Sequence, residues 1–187
     1  MKTAAIVLAA GASRRLGQPK QDVLLGGETL LERTVRIAAL AGLDPIYAVI
    51  ASDRLPSPKL AAILLHNPDA AEGMASSLRT GVVAARNACV DGVVILACDQ
   101  PAVTAEHLRR LLESSDHGTR TVASAYAGRK GVPAYFPGSA FERLLELRGD
   151  SGARDLIATA HAIPLANGEL DIDTAEDLAR ARVLFPE

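Results

Sequence analysis

The chain has 187 residues, the usual size of one domain, and its 49% hydrophobic content is that of a globular protein rather than a disordered one. A net charge of −2 and 3% aromatic residues without tryptophan argue against a nucleic-acid partner, and no apolar run approaches the length of a membrane-spanning helix. Two cysteines and four histidines without ligand spacing exclude a disulfide framework and a zinc site, so we expect a cytoplasmic monomer with one domain, residues 1–187.

Apolar runs alternate with helical patterns along the chain. The predicted strands are Thr3–Leu8, Ile46–Ala51, Ile63–His66, Val93–Ala97, Val122–Tyr126 and Val132–Phe136. The predicted helices are Thr29–Ala41, Ala75–Ala88, Thr104–Ser114, Ala140–Leu147 and Ala175–Leu184. This alternation is typical of an α/β protein whose mostly parallel sheet carries helices on both faces.

The first predicted strand ends in a loop of small and cationic residues, LAAGASRRLGQPK, at positions 8–20. Backbone N–H groups of such a loop can approach an anion, because no bulky side chains intervene, while Arg and Lys neutralise its charge. The loop is not a P-loop, since five residues separate Gly11 from Gly17, and Gly11 also lacks the second glycine of the dinucleotide fingerprint. It predicts a phosphate site of another kind.

The stretch NPDAAEGMASSLRTGV, positions 67–82, has Gly73 just before a predicted helix and Ser77 in its first turn. Amides and hydroxyls at a helix start can bind a base or a phosphate. The alternative is that these groups only cap the helix.

Asp99 follows an apolar strand, at the edge of the sheet where open α/β proteins bind ligands. A carboxylate there, beside a triphosphate, is placed to hold Mg²⁺; the alternative is a helix cap. Near the C-terminus, Asp171 and Asp173 are predicted to share the face opposite Ile172, and two carboxylates repel each other unless a cation lies beside them. The alternative is that Asp173 or Thr174 caps the last helix.

Two stretches complete the candidates. AGRKG, positions 127–131, is a plain hairpin or a basic flap beside an anionic substrate. LRGDSGAR, positions 147–154, combines two glycines with Asp150 and Arg154, and a guanidinium binds phosphate bidentately. The alternative is a helix cap with a surface arginine.

Together these stretches resemble the nucleotidyltransferases that act on sugar phosphates and on the molybdenum cofactor, and most of all the molybdenum cofactor cytidylyltransferases of the MobA-like family. The loop is similar to the family signature L-A-A-G-x-S-x-R-x-G-x-x-K, and later blocks are similar to G-M-x-S-S-L-x-x-G, D-x-P, G-x-P and G-D-x-G-A-R. The resemblance implies a three-layer Rossmann-like nucleotidyltransferase fold.

The resemblance also implies roles for individual residues. The implied catalytic residues are Arg15 and Lys20, and the implied ligands of Mg²⁺ are Asp99 and Asp173. The implied nucleotide-binding residues are Leu8, Ala9, Ala10, Gly11, Ser13, Gly73 and Ser77. The implied acceptor-binding residues are Gly131, Pro133, Gly149, Asp150 and Arg154.

The implied reaction transfers CMP from CTP to molybdopterin, with a molybdoenzyme chaperone as a possible partner. CTP is favoured over GTP because guanylyl-transferring relatives usually carry Gly at the position of Ala10. The chain departs from the family pattern at Ala70, where relatives have Trp, and at Val132, where they often have His. Three alternatives stay open: cytidylyl transfer to a sugar or polyol phosphate, a guanylyl or other purine-nucleotide variant, and a non-catalytic carrier of molybdopterin.

Overall fold

The computed structural model describes residues 1–11, 15–51, 60–150 and 153–185. Ser13, a predicted nucleotide-binding residue, lies outside these ranges. The strands are β1 (Thr3–Leu8), β2 (Leu24–Leu25), β3 (Glu28–Thr29), β4 (Ile46–Ile50), β5 (Ile63–His66), β6 (Gly92–Ala97), β7 (Val122–Tyr126), β8 (Arg129–Pro137) and β9 (His161–Pro164). The helices are α1 (Leu30–Leu40), α2 (Met74–Asn87), α3 (Ala105–Glu113), α4 (Phe141–Leu145), α5 (Arg154–Ala158) and α6 (Ala175–Leu184), with 3₁₀ turns at Lys20–Asp22, Ala70–Glu72 and Gly138–Ala140.

Seven strands form one sheet in the order β5-β4-β1-β6-β8-β7-β9, and β2 and β3 form a separate two-stranded hairpin. Within the sheet β8 is antiparallel to both of its neighbours, and the other pairs are parallel. The expected α/β fold with a mostly parallel sheet is confirmed.

Helices cover both faces of this sheet. Alternate residues of β1 enter opposite cores, because successive side chains of a strand point to opposite faces. Ala5 and Val7 pack in the core under α1 and α3, whereas Ala4 and Ile6 pack in the core under α2, α4 and α5. The central strands therefore bury both faces, which is why they are almost continuously apolar in sequence.

A third, smaller core lies beside the sheet, between the β2–β3 hairpin, the start of α1 and helix α6. Its buried members are Val23, Leu25, Leu30, Leu170, Ile172 and Ala181. Val23 follows Lys20 by three residues and Ile172 precedes Asp173 directly. This core therefore holds two distant parts of the chain at one place, and each part carries a predicted site residue.

Three features differ from the sequence prediction. The AGRKG stretch is mostly strand, because β8 begins at Arg129 and leaves only two residues in the turn. The segment 171–173 is not a strand, although Ile172 is fully buried as expected. Strands β2, β3 and β9 were not predicted. None of the helices in the described ranges is long and apolar enough to cross a membrane.

A buried histidine links α3 to β7. His107 is 5% exposed, and its Nε2 lies 2.7 Å from Oγ of Ser124. The Ser124 hydroxyl donates its proton to the carbonyl of Pro133 at 2.6 Å, so Nε2 of His107 must be the donor to Oγ. Burial, aided by the positive charge of Arg110, lowers the pKa of His107 to about 4.

We expect this histidine to make the fold sensitive to acid. Above pH 6.5 His107 is neutral in both the folded and the unfolded chain, but below it the unfolded chain takes up a proton that the folded chain does not. The free energy of unfolding should therefore fall by about 3 kcal/mol between pH 7 and pH 4 on account of this group. Urea unfolding of the wild type and of His107→Gln at both pH values checks this, and equal losses in the two proteins would contradict it.

Candidate functional site

The site lies at the carboxyl edge of the sheet, where β1 and β6 end side by side. Leu8 pairs with Ala97 at the end of both strands, and the backbone N–H of Cys98 donates to the carbonyl of Leu8 at 3.3 Å. The loop that begins at Ala9 therefore lies next to the loop that carries Asp99. Of the predicted loop residues, Ala9 is buried at 3% exposure and Gly11 is exposed.

The segment 171–173 joins these loops from the far end of the chain. The backbone N–H of Ile172 donates to the carbonyl of Asp99 at 2.9 Å, and the Ile172 side chain is anchored in the third core. Asp99 and Asp173 are thereby brought together although 74 positions separate them in the sequence (173 − 99).

Lys20 lies between these two carboxylates. Its Nζ donates to Oδ2 of Asp99 at 2.6 Å and also to Oδ1 of Asp173. On the other side of Asp173, a guanidinium N–H of Arg15 donates to Oδ2 at 2.5 Å. The Lys20 and Asp99 side chains are mostly buried, whereas Arg15 is 70% exposed. The four residues predicted as catalytic or metal-binding thus form one cluster of charges.

The charges in this cluster are strongly coupled. Burial by itself lowers the pKa of Lys20, but the charges and hydrogen bonds of Asp99 and Asp173 outweigh it, so the pKa lies above its usual value. Asp171 lies close to the same cluster: burial, and then repulsion from Asp99, raises its pKa to about 6. Among the described residues, the carboxylates of Asp99, Asp171 and Asp173 are matched by the positive charges of Arg15, Lys20 and Arg129, so this cluster offers no excess positive charge to a further anion.

Asp173 does not cap the last helix. Thr174 does so, in a capping box in which its hydroxyl accepts from the N–H of Asp177 at 3.2 Å. The Asp177 carboxylate in turn accepts from the N–H groups of Thr174 and Asp173. The backbone of Asp173 is thereby fixed, while its carboxylate is directed to Lys20 and Arg15.

Asp99 and Asp173 fit a magnesium ion. Both carboxylates already place an oxygen against one cation, the Lys20 ammonium, so they converge on a common point. Mg²⁺ is typically held by one or two carboxylates together with substrate phosphates and water. In the described ranges no group of three or more acidic, histidine or cysteine side chains is arranged to hold a metal ion.

A second group of predicted residues meets at the start of α2. The N–H of Ala75 donates to the carbonyl of Gly149 at 3.0 Å, and the N–H of Met74 approaches Oδ1 of Asp150 at 3.4 Å. Gly73 has a φ of +113°, and a Cβ there would lie 2.4 Å from Oδ1 of Asp150. The predicted nucleotide-binding and acceptor-binding glycines therefore touch each other.

Ser77 is buried at 5% exposure, and its hydroxyl accepts from the Asn67 amide at 2.9 Å. Asn67 also donates to Ser76 at the same distance. This network ties the turn after β5 to the first turn of α2. Direct contact of Ser77 with a nucleotide stays a prediction.

The remaining acceptor candidates lie on β8 and α5. Gly131 and Pro133 are on β8, and Pro133 is buried; Arg154 is the exposed first residue of α5. The Lys130 ammonium donates to the carbonyls of Ala158 and Ala160, both at 2.8 Å, and so satisfies the C-terminal end of α5. Lys130 therefore has a structural role. Of the two basic residues in the predicted flap, Arg129 is left as the candidate for contact with an anionic substrate.

Sequence reasoning missed the residues that connect these groups. Arg79 on α2 donates to the carbonyl of Leu147 at 2.8 Å and to the Glu72 carboxylate, and so holds the 147–150 stretch against α2. The sequence did contain a sign of this contact. Arg79 lies four residues after Ala75, so both residues were predictable on the same face of the helix. Gln100 and Tyr126 were also missed; they are hydrogen-bonded to each other beside Asp99.

A seven-stranded α/β sheet with a glycine loop, a lysine and two convergent carboxylates at its carboxyl edge defines a nucleotidyltransferase of the Rossmann-like class. The chain belongs to the family of the MobA-like NTP transferase domain, which matches residues 5–164.

Several proteins are similar to this chain over most of its length. The chain is 32% identical to the purine catabolism protein PucB of Bacillus subtilis, over 95% of this chain and 94% of that protein. It is 30% identical to a probable molybdenum cofactor guanylyltransferase of Opitutus terrae, over 83% of this chain and 77% of that protein. Among solved structures, Rv0371c of Mycobacterium tuberculosis superimposes with a TM-score of 0.75 at 30% identity, covering 96% of this chain and 97% of that one.

The contact at Gly73 predicts a stability effect. We expect Gly73→Ala to lower the free energy of unfolding by more than about 1 kcal/mol, because alanine is strained at this positive φ and its Cβ would collide with Gly149 and Asp150. Thermal unfolding measures it. The matched control is Gly42→Ala, which has a positive φ of +83° but no neighbour among the described residues within 4 Å of the added Cβ. If both variants lose the same stability, the collision has no part in the effect.

Proposed function

We propose that this protein transfers CMP from CTP to the phosphate of molybdopterin, or of the molybdenum cofactor, and releases pyrophosphate with Mg²⁺ as cofactor. The observation that carries the proposal is the convergence of Lys20, Asp99 and Asp173 beside the glycine loop at the carboxyl edge of the sheet. Family membership supports nucleotidyl transfer, and the resemblance of the first loop supports CTP.

On the donor side, the backbone of Ala9, Ala10 and Gly11 surrounds the triphosphate. Gly11 has no side chain that would keep a bulky anion away from its backbone. Arg15 is exposed enough to turn from Asp173 to a phosphate, and Lys20 neutralises charge that builds up on the leaving pyrophosphate. Gly73 and the start of α2 border the base.

The charge balance supports a divalent cation. The described charges of the site are close to balanced, so they give a triphosphate no excess positive charge. A magnesium ion held by Asp99 and Asp173 would supply positive charge against the phosphate groups. We therefore expect CTP to bind weakly when divalent ions are removed by a chelator.

The acceptor phosphate attacks the α-phosphorus of the nucleotide. It is already an anion at pH 7, so the reaction needs cations that hold two anions in line rather than a general base. Gly149 and Asp150 border the start of α2, and together with Arg154 they are proposed to hold the acceptor. The same reaction would work with the phosphate of a sugar or a polyol. The acceptor therefore has to be identified by assay.

The test is a pyrophosphate-release screen with each of the four NTPs and Mg²⁺, using molybdopterin or a polyol phosphate as acceptor. We expect release with CTP and molybdopterin. Release with GTP instead would overturn the base assignment, in line with the printed name of the Opitutus terrae relative. Release with the polyol phosphate alone would overturn the acceptor. Tight molybdopterin binding without release from any pair would identify a carrier.

A further inference from the structure

Strands β7 and β8 lose their regular pairing beside the proposed acceptor residues. The register shifts between Ala123 and Ser124, so that Val132 and Pro133 have no partners in the ladder. Bulges of this kind redirect the chain and are frequent next to active sites. The carbonyl groups of the bulged residues must find other hydrogen-bond donors.

Two hydroxyl groups of β7 provide these donors. The Ser124 hydroxyl donates to the carbonyl of Pro133, as described above, and the Tyr126 hydroxyl donates to the carbonyl of Val132 at 3.1 Å. Ser124 is fully buried and turned toward α3, whereas Tyr126 is only half-buried and lies toward the carboxyl edge.

Gln100 joins Tyr126 to the metal-side loop. Its side-chain amide donates to Oη of Tyr126 and to the carbonyl of Gly168, both at 3.3 Å. Gln100 is 6% exposed and directly follows Asp99 in the chain. A continuous series of contacts therefore runs from the Asp99 loop through Tyr126 to Val132.

The Tyr126 ring packs tightly against two glycines. A Cβ on Gly131 would lie 2.0 Å from its Oη, and one on Gly168 would lie 2.6 Å from its Cδ1, so these two glycines make room for the ring. The guanidinium carbon of Arg129 is 5.4 Å from the ring centroid, within the range of a cation–π contact. Burial raises the pKa of Tyr126, so the hydroxyl keeps its proton at neutral pH and stays a donor.

We propose that Tyr126 is a positioning residue for the acceptor: its hydroxyl, held by Gln100, fixes the Val132 carbonyl and thereby sets the segment 131–133 against the Asp99 loop. The inference rests on the proposed function, because it takes this segment as part of the acceptor site. It assigns a role to a side chain that is not among the proposed substrate-binding residues.

The test uses Tyr126→Phe, which removes one oxygen and keeps the ring in place. With CTP and molybdopterin as substrates, or GTP if the wild type prefers it, we expect the KM for molybdopterin to rise about fivefold, the cost of one hydrogen bond. The KM for the nucleotide and kcat should stay within about twofold of the wild type, because the donor loop is unchanged. The matched control is Tyr47→Phe, whose hydroxyl donates to the carbonyl of Ala84 on α2 at 3.3 Å.

A second variant and a second measurement test the same inference independently. Gln100→Leu removes the donor to Tyr126 and should raise the same KM. Hydrogen–deuterium exchange of the amides in residues 129–136 should be faster in both variants than in the wild type, and unchanged in residues 46–50. An unchanged molybdopterin KM in Tyr126→Phe, or an equal rise in Tyr47→Phe, would overturn the inference.

Failure of the proposed function has a different signature. In that case the wild type itself releases no pyrophosphate with any pair of substrates. Hydrogen–deuterium exchange is then the remaining test. Unchanged protection of residues 129–136 in Tyr126→Phe would refute the positioning role. Faster exchange would support the positioning of segment 131–133 by Tyr126.

Discussion

Replacing Lys20 by methionine is expected to lower turnover by about a hundred- to a thousandfold, the usual cost of removing one preorganised group that stabilises developing charge. Methionine keeps the unbranched stem but has no ammonium. Without it, charge that develops on the leaving pyrophosphate is stabilised by Arg15 alone among the predicted catalytic residues, and that side chain is 70% exposed to screening solvent. Pyrophosphate release at saturating nucleotide and Mg²⁺ measures the effect.

The same variant should bind metal more readily. In the wild type the Lys20 ammonium occupies the point at which Asp99 and Asp173 converge, so a metal ion must compete with it. We expect Lys20→Met to lose about 2 kcal/mol of stability in a chelator, because two partly buried carboxylates are left facing each other, and to regain most of it when Mg²⁺ is added. Isothermal titration with Mg²⁺ alone should show tighter binding than in the wild type.

The control for this prediction is Lys2→Met. Lys2 is exposed, and its ammonium donates to the carbonyl of Ala88, away from the site. This variant should keep wild-type turnover, stability and metal affinity. Normal turnover of Lys20→Met would overturn the proposed role of the lysine, and equal metal affinity would show that the ammonium does not compete for the metal position.

Replacing Asp99 by asparagine is expected to have an effect of similar size, about a hundred- to a thousandfold on turnover. The amide has the same shape and its oxygen can still accept a hydrogen bond from Lys20, so the fold should be preserved. What is lost is the negative charge that would hold the divalent ion. We expect the residual activity to require about tenfold more Mg²⁺, and Asp173→Asn to behave in the same way.

Asp116→Asn is the matched control. Asp116 is exposed in the turn after α3, and its φ of +52° is a conformation that asparagine readily adopts. It should leave turnover and the Mg²⁺ requirement unchanged. If Asp99→Asn needs no more Mg²⁺ than the wild type, then Asp99 is not a metal ligand, whatever the change in turnover.

Much of the fold could be predicted because the patterns that determine it are local. Strand Thr3–Leu8 and helix Ala175–Leu184 were placed with their observed bounds, since an unbroken apolar run and a capped helical pattern need no information from elsewhere in the chain. Strand β9 has only four residues, one of them proline, and exists because β7 lies beside it. Such an element cannot be read from its own residues.

The candidate site also contains residues that could be predicted from local sequence and residues that could not. Its charged residues were found because their motifs are contiguous in sequence and similar to those of a known family. Tyr126 and Gln100 were not, because their contact depends on a register shift between β7 and β8 and on the return of the chain to Gly168. Those are consequences of tertiary structure, and a single sequence gives no direct sign of them.

The small core that unites Val23 with Ile172 has a consequence for the order of events during protein synthesis. A ribosome completes the first loop early, but the second carboxylate of the charge cluster is made more than 150 residues after the lysine it contacts (173 − 20 = 153). A chain that ends before residue 173 therefore carries only one of the two proposed metal ligands. The charge cluster can form only after residue 173 has been made, so we expect a nascent or truncated chain that lacks it to be inactive.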